Sequence, residues 1–261
     1  MNTNPLVSIV TPVFNGERYI SETIQSVLAQ TYNNIEYIVV DGGSTDTTVE
    51  LAKRHGIGIA KLTSEPDNGM YDAINKGLRQ SSGDIVCYLN ADDTFFPETV
   101  ERVVQRFLRG DVDLCFGNCV FIDEHSAELY RSRGVDLSHA NLLTLQRIPF
   151  CQPAAFWTRA LYDRVDGFDQ RYRYVADTHF FFRALRVAGT RRAHIDHDLA
   201  SFRVHGGGFS TKAAASMTRE HEEVMAELGA PHGAMRFVME AFVKWRNRSN
   251  LMKKALGRAS R

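Results

Sequence analysis

Continuous apolar runs, rather than alternating ones, constrain the fold of this chain most. Residues 7–13 and 35–40 are near-continuous runs of valine, isoleucine and other apolar residues, and each is followed by a polar loop and then by apolar residues at helical spacing. Strands that are apolar on both faces are typical of a parallel sheet covered by helices on both sides. The alternation continues through four strand–helix units to about residue 110. We therefore expect an α/β fold with a mostly parallel central sheet flanked by helices.

The pattern changes along the second half of the chain. From Leu114 the sequence indicates paired short strands mixed with helices, and after Gly208 it becomes helical. These shifts predict a main domain over residues 1–212, with one half at 1–110 and the other at 111–212. A helical extension is expected over 213–261.

Charge is balanced over the whole chain but not along it. The 31 Lys and Arg residues match 31 Asp and Glu residues, which argues against a protein that chiefly binds nucleic acid. Seven basic and no acidic residues follow Ala241, however. The segment 241–261 is therefore either a solvated helix end or a surface that contacts anionic lipid, and we favour peripheral membrane contact.

The sequence contains no apolar run near the length that a membrane-spanning helix needs. Its four cysteines form no CxxC pair, and three lie in apolar, strand-like runs, which is typical of buried free thiols. We expect a cytoplasmic protein that attaches peripherally to the inner face of the plasma membrane.

Acidic side chains recur where the predicted strands end. Asp41 ends the second strand, Glu65 and Asp67 follow the third, and Asp92 and Asp93 follow the fourth. In open α/β sheets, ligands bind beyond the carboxyl ends of the strands. Clustered carboxylates repel one another unless a cation or the donors of a ligand neutralise them. Mg²⁺ or Mn²⁺ bridging a diphosphate would satisfy this requirement.

The sequence lacks the motifs of two common nucleotide sites and resembles a known family in the motifs that it does contain. Neither GxGxxG nor GxxxxGK[ST] occurs, which disfavours a dinucleotide-binding Rossmann fold and a P-loop. In motif content and order, the chain resembles glycosyltransferase family 2, whose members have the GT-A fold. The segments that carry the resemblance are Val7–Asn15, Val40–Asp46, Gly69–Gly77, Leu89–Asp93, Gly167–Asp169 and Ala176–Asp177.

The resemblance implies a nucleotide-diphosphate-sugar donor bound by the first half of the domain. The residues that it places around the donor are Thr11, Pro12, Phe14, Asn15, Asp41, Glu65, Asp67, Lys76, Asn90 and Asp92. Thr11 and Pro12 would form a loop that holds the base, and Asp41 would accept a hydrogen bond from a ring N–H. For Lys76, contact with a phosphate and a solvated helix position both stay open.

The resemblance also implies a divalent metal, Mn²⁺ or Mg²⁺, at the DxD position of the family. Asp93 would ligate the metal, Asp92 would face the ribose or sugar and contribute to the metal site, and His205 is a further candidate ligand. The two aspartates could instead only cap the following helix. Asn90 replaces the first acid of the family motif, so the metal role depends on the two aspartates.

Asp177 matches the general base of the family, a carboxylate at a helix start that accepts a proton from the acceptor hydroxyl during a single displacement with inversion. Ala176 stands where many members have a glutamate, so Asp177 is the single candidate, although it could also be only a cap. The segment Gln170–Tyr174 resembles the QxxRW motif of processive synthases but precedes Asp177 instead of following it. We therefore expect transfer of a single sugar.

The function expected from the resemblance is metal-dependent, inverting transfer of one sugar to a hydroxyl of a glycan or lipid-linked acceptor in bacterial surface polysaccharide or glycolipid assembly. A rival hypothesis is a non-catalytic nucleotide-sugar-binding protein that keeps the donor site. A nucleotidyltransferase is a third alternative, but no glycine-rich basic loop follows the first strand.

Overall fold

A computed structural model of the chain describes residues 3–136, 138–208, 213–233, 237–239 and 241. The strands are β1 (Val7–Val13), β2 (Ile35–Asp41), β3 (Lys61–Ser64), β4 (Ile85–Tyr88), β5 (Thr94–Phe95), β6 (Leu114–Ile122), β7 (Glu128–Ser132), β8 (Ala155–Thr158) and β9 (Arg192–Arg203). The α-helices are α1 (Ile20–Leu28), α2 (Thr48–Arg54), α3 (Met70–Gln80), α4 (Thr99–Phe107), α5 (His139–Leu145), α6 (Arg159–Arg164), α7 (Ala176–Arg186) and α8 (Ala214–Glu227).

Within the described part of the chain, all strands belong to one sheet, in the order β3-β2-β1-β4-β8-β6-β9-β5, with β7 paired to β6. The four strands β3, β2, β1 and β4 are parallel to one another, as the sequence predicts for the first half. The second half is mixed, because β8 is antiparallel to both β4 and β6 whereas β9 is parallel to β6.

The parallel half explains why the first apolar run is continuous. All seven residues of β1 are buried, since helices cover both faces of this central strand. Helix α3 lies so close to β1 that a Cβ atom at Gly77 would approach Val10 Cγ1 to 2.5 Å. The glycine therefore permits the close packing of α3 against β1 and β2.

Two of the sequence motifs contact each other in the interior. Asn75 of α3 is 2% exposed, and its amide donates to the carbonyl of Phe168 at 2.7 Å. Its Oδ1 accepts from the Phe168 N–H at 3.0 Å and from the Tyr162 hydroxyl at 2.8 Å. The contact joins the half of the domain that contains α3 to the half that contains α7.

The predicted helical extension begins with a helix that packs onto the main domain. Val224 and Met225 of α8 are buried in the same hydrophobic core as the sheet, and Leu228 follows them. Apart from Ala241, the segment 241–261, expected to contact the membrane, lies outside the described residues. Across the described ranges, no helix is both long and apolar enough to cross a membrane.

Candidate active site

The loops after β1 and β2 are joined by side-chain hydrogen bonds at the carboxyl edge of the sheet. Asn15, with a φ of 49°, donates its backbone N–H to Ser44 Oγ at 2.7 Å. Its Oδ1 accepts from the Thr45 N–H at 2.9 Å. Asn15 therefore braces the two loops, whereas Phe14 beside it is 63% exposed and available to a ligand.

Thr11 and Pro12 differ from the expected loop arrangement, because both lie inside β1 and are buried. The Thr11 hydroxyl accepts a hydrogen bond from Tyr37 of β2 at 3.0 Å. The strand continues to Val13, so the loop begins at Phe14 and does not include these two residues.

The carboxylate of Asp41 organises its own loop. It accepts backbone N–H bonds from Gly43 at 3.1 Å and Ser44 at 3.0 Å, a hydroxyl bond from Ser64 at 2.7 Å, and a further bond from the Ser44 hydroxyl. A carboxylate offers about four acceptor positions. An N–H of a base would therefore have to replace one of the serine hydroxyls.

The acidic residues after β3 lie beside the loop that Asp41 holds. Asp67 is so close to Gly42 that a Cβ atom there would lie 2.5 Å from Asp67 Oδ2. Lys76 Nζ lies 3.2 Å from Glu65 and 3.3 Å from Asp72. The lysine is therefore paired with two carboxylates. It is neither fully solvated, as in one of the alternatives from the sequence, nor without a protein partner beside a phosphate, as in the other.

Asp92 and His205 face each other across the end of the sheet. His205 Nε2 lies 3.0 Å from Asp92 Oδ2, with 31% of the aspartate side chain and 13% of the histidine side chain exposed. The edge of the imidazole contacts the ring of Tyr19, with the centroids 5.0 Å apart. This pair brings together two of the three predicted metal ligands.

The third predicted ligand, Asp93, points into the protein. It is 1% exposed, and its Oδ1 accepts the backbone N–H of Arg203 at 3.0 Å while its Oδ2 accepts from the Asn90 amide at 3.3 Å. Burial, with the nearby charge of Asp92, raises the pKa of Asp93 well above its usual range. This differs from the sequence expectation, in which Asp93 was the principal ligand: Asp92 is the aspartate that faces the site.

Asn90 lies in the same turn as Asp92 and Asp93, and its side chain has a buried acceptor. Its Oδ1 is buried and has no hydrogen-bond partner in the protein. A buried acceptor without a partner is costly, so a ligand or cation at this position would satisfy it. Among the described residues, however, no group of three or more His, Cys, Asp or Glu side chains is arranged to hold a metal.

Arg203 at the end of β9 is a site residue for which the sequence carries no motif. Its side chain is 1% exposed and donates from Nε to the Asp92 carbonyl at 2.9 Å and from Nη2 to Glu22 at 2.7 Å. The guanidinium also donates to the Ser126 hydroxyl at 2.9 Å and lies 4.6 Å from the Tyr19 ring centroid. Arg203 therefore fixes the turn that carries Asp92.

Asp177 lies in the first turn of α7, as predicted. Its Oδ1 accepts from the Tyr71 hydroxyl at 3.1 Å and from the Thr178 N–H at 2.7 Å. Surrounding protein raises the pKa of Asp177, although the residue remains partly exposed. Tyr71 belongs to a recognised motif, but its spacing alone did not indicate this contact.

Tyr88 at the end of β4 lies near both Asp177 and Asp93. Its pKa is raised well above the usual range by burial first, and then by the nearby Tyr71, Asp177 and Asp93. The carboxylate of α7 and the turn after β4 are therefore both within electrostatic reach of a single side chain.

A sheet of this topology, with acids at the carboxyl ends of its parallel strands, defines an α/β protein whose candidate ligand site lies at that edge of the sheet. Residues 8–190 match the family described as "Glycosyl transferase family 2". The chain therefore belongs to glycosyltransferase family 2, and it has the GT-A fold.

Named relatives agree with this assignment. An uncharacterized glycosyltransferase of Rickettsia typhi is 31% identical over 84% of this chain and 70% of its own length. A PGL/p-HBAD biosynthesis glycosyltransferase of Mycobacterium bovis is 26% identical over 78% of each chain.

Two solved structures share the fold. The first, TarS 1–349 of S. aureus in complex with UDP-GlcNAc, has a TM-score of 0.70 and 18% identity over 92% of this chain and 69% of that one. The second, the mannosyltransferase PcManGT of Pyrobaculum calidifontis in complex with GDP-Man and Mn²⁺, has a TM-score of 0.66 and 19% identity, with the same coverage of each chain.

Proposed function

We propose that this glycosyltransferase is a metal-dependent, inverting enzyme that moves a single sugar from a nucleotide-diphosphate sugar to a hydroxyl of a glycan or lipid-linked acceptor. The observation that carries the proposal is the Asp177 carboxylate, which the Tyr71 hydroxyl orients at 3.1 Å beside the carboxyl end of the parallel strands. A partly exposed carboxylate with a raised pKa is suited to accept a proton near neutral pH.

The donor class is supported by the solved structures of the same fold, which are described with UDP-GlcNAc or with GDP-Man and Mn²⁺. In this chain, the exposed ring of Phe14 and the loops held by Asn15 and Asp41 would border the nucleoside. Asp67 and the Lys76–Glu65 pair lie at the same edge of the sheet.

The residues present fit a divalent cation. Asp92 and His205 supply a carboxylate oxygen and an imidazole nitrogen 3.0 Å apart, and Asn90 adds a buried amide oxygen without a protein partner. Carboxylate and carbonyl oxygens suit Mg²⁺ and Mn²⁺, and phosphate oxygens of the donor complete such sites. When bound there, the cation would supply positive charge to neutralise the leaving diphosphate.

The protein's own residues then account for the displacement. Asp177 accepts the proton of the acceptor hydroxyl while that oxygen forms a bond to the anomeric carbon from the face opposite the diphosphate. The bond between the anomeric carbon and the diphosphate oxygen breaks, its electron pair leaves with the nucleoside diphosphate, and the configuration inverts. The Tyr71 hydroxyl stabilises the carboxylate before it accepts the proton.

The setting that we propose is assembly of bacterial surface polysaccharide or glycolipid, supported by the relative named for PGL/p-HBAD biosynthesis. Contact of 241–261 with the inner face of the plasma membrane stays a prediction. Co-sedimentation with vesicles containing anionic lipid, compared between the full chain and a chain ending at Ala241, tests it. Equal sedimentation of the two chains would contradict it.

The proposal is tested with Asp177→Asn and, as a matched control, Asp163→Asn on the exposed surface of α6. We expect Asp177→Asn to lower release of nucleoside diphosphate, measured over UDP-, GDP- and dTDP-sugars with Mn²⁺, by about 10²- to 10⁴-fold. Donor binding measured by calorimetry should be unchanged. Donor binding without release by the wild-type chain would favour either an enzyme that needs its acceptor before it cleaves the donor or the rival binding-protein hypothesis, and absence of binding would overturn the donor site.

A further inference from the structure

The start of α7 has no capping side chain of its own. Val175 precedes the helix and makes no side-chain capping bond, and the N–H groups of residues 173–175, which lead into α7, take their hydrogen-bond partners from elsewhere in the chain. Asp177 lies only two residues further along, so any movement of this helix start also moves the proposed general base.

Glu220 of α8 supplies those partners from 45 residues further along the chain. One carboxylate oxygen accepts the N–H of Arg173 at 3.0 Å. The other accepts the N–H of Tyr174 at 2.7 Å and that of Val175 at 3.3 Å. Three consecutive N–H groups thus converge on one carboxylate, and hydrogen bonds to a charged acceptor are the stronger kind.

A second glutamate of α8, Glu227, bonds a residue on each side of this segment. Glu227 accepts the Tyr172 hydroxyl at 2.8 Å and lies 3.1 Å from His179 Nε2. Glu220 and Glu227 are seven residues apart, so they lie on one face of α8, with the buried Val224 between them. Helix α8 therefore clamps the segment that runs from before the proposed base to just after it.

The contact with Glu220 reaches Asp177 through the backbone of one residue, Tyr174, and the side chain of another, Tyr71. The Tyr174 N–H is held by Glu220, and the Tyr174 carbonyl lies 3.4 Å from the Tyr71 hydroxyl. That hydroxyl in turn donates to Asp177 Oδ1 at 3.1 Å. A shift of the Tyr174 backbone would therefore change both the position of α7 and the hydrogen bond that orients the carboxylate.

We propose that Glu220 is a positioning residue for transfer: its carboxylate holds the start of α7 so that Asp177 faces the acceptor hydroxyl. This inference rests on the proposed function, because it assigns Glu220 a part in the proton transfer to Asp177. The proposal also means that α8 contributes to catalysis and is not only an extension of the main domain.

The test compares Glu220→Ala and Glu220→Gln with the control Glu223→Gln, since Glu223 is exposed on the same helix. The probe is hydrolysis of whichever donor the wild-type chain cleaves among UDP-GlcNAc, UDP-Glc, UDP-Gal, GDP-Man and dTDP-rhamnose. We expect Glu220→Ala to lower kcat by about 10- to 100-fold with an unchanged KM, because a small misplacement of a reacting group costs this much. Glu220→Gln, which keeps one acceptor oxygen, should fall in between.

Two further measurements separate positioning from loss of folded protein. Calorimetric stoichiometry of donor binding should stay at one per chain in every variant, whereas a partly unfolded sample would bind less. Hydrogen–deuterium exchange of the peptide covering 171–179 should become about tenfold faster in Glu220→Ala and stay unchanged in Glu223→Gln.

Each outcome decides the proposal. Wild-type kcat in Glu220→Ala, unchanged exchange over 171–179, or a fall in kcat that matches a fall in binding stoichiometry would each overturn it. If the wild-type chain neither binds nor cleaves any donor, the proposed function fails and this inference fails with it, whereas the exchange result would still show whether Glu220 holds the helix start.

Discussion

The hydroxyl of Tyr71 donates to Asp177 Oδ1 at 3.1 Å, and this bond joins the two halves of the domain at the point where we propose that chemistry occurs. Tyr71 is in α3, on the parallel half of the sheet, whereas Asp177 is in α7 of the second half. The pKa of Tyr71 is raised well above its usual range, first by burial and then by Asp177, so the hydroxyl remains a protonated donor.

Replacing Tyr71 with phenylalanine should move the pH dependence of turnover. The hydrogen bond favours the ionised carboxylate, so its loss raises the pKa of Asp177 beyond the rise that burial already causes. The acid limb of kcat then moves to higher pH, and kcat on that limb should fall by at least about tenfold, because a hydrogen bond to a charged group contributes about 1.5–3 kcal/mol. Rates of donor hydrolysis from pH 5 to 9 measure this.

The control for this variant is Tyr32→Phe, since the Tyr32 hydroxyl bonds Asn4 and the Pro5 carbonyl away from the proposed site. An acid limb that stays in place in Tyr71→Phe would show that the hydroxyl does not act on the general base.

Asp92 and Asp93 should respond differently to substitution, although they are neighbours in sequence. Asp92 faces His205, whereas Asp93 is buried against the Arg203 N–H. We expect Asp92→Asn and His205→Ala each to raise the Mn²⁺ concentration for half-maximal donor hydrolysis by at least about tenfold, because each removes a metal ligand. Asp93→Asn should leave that concentration unchanged. The opposite ranking would restore Asp93 as the principal ligand.

Arg203→Met should destabilise the fold more than substitution of an exposed arginine. The buried guanidinium donates to the Asp92 carbonyl, the Ser126 hydroxyl and Glu22, and methionine removes all three of these hydrogen bonds. A loss of about 3 kcal/mol in the free energy of unfolding is expected. In Arg131→Met, surface ion pairs with Glu128 and Asp198 are lost, so the change should be about 1 kcal/mol or less. Urea unfolding followed by circular dichroism gives both values, and equal losses would contradict the structural role of Arg203.

Local sequence patterns predict the parallel half of the fold and the place of Asp177 at a helix start. Strand periodicity, helix periodicity and a helix start are all short-range features of the sequence. They could not show that Asp93 turns inward, since Asp92 and Asp93 are equivalent as sequence and differ only in what β9 brings against them. The same holds for Arg203 and Glu220. Their partners lie 111 and 45 residues away, at distances that only the folded chain closes.

Asn75→Ala should weaken the contact between the two halves of the domain and, through it, turnover. The buried amide makes three hydrogen bonds, two to the backbone of Phe168 and one to the Tyr162 hydroxyl. Alanine leaves these groups unpaired in the interior, so we expect the free energy of unfolding to fall by about 2–3 kcal/mol, whereas Asn33→Ala at an exposed position should change it by less than about 0.5 kcal/mol. Because the chain runs from Phe168 into α7, donor hydrolysis by the folded fraction should also fall, with an unchanged KM.

Urea unfolding measures the change in stability, and kcat divided by the donor-binding stoichiometry measures turnover by the folded fraction. If the variant is destabilised but this normalised kcat equals that of the wild type, Asn75 has a structural role only.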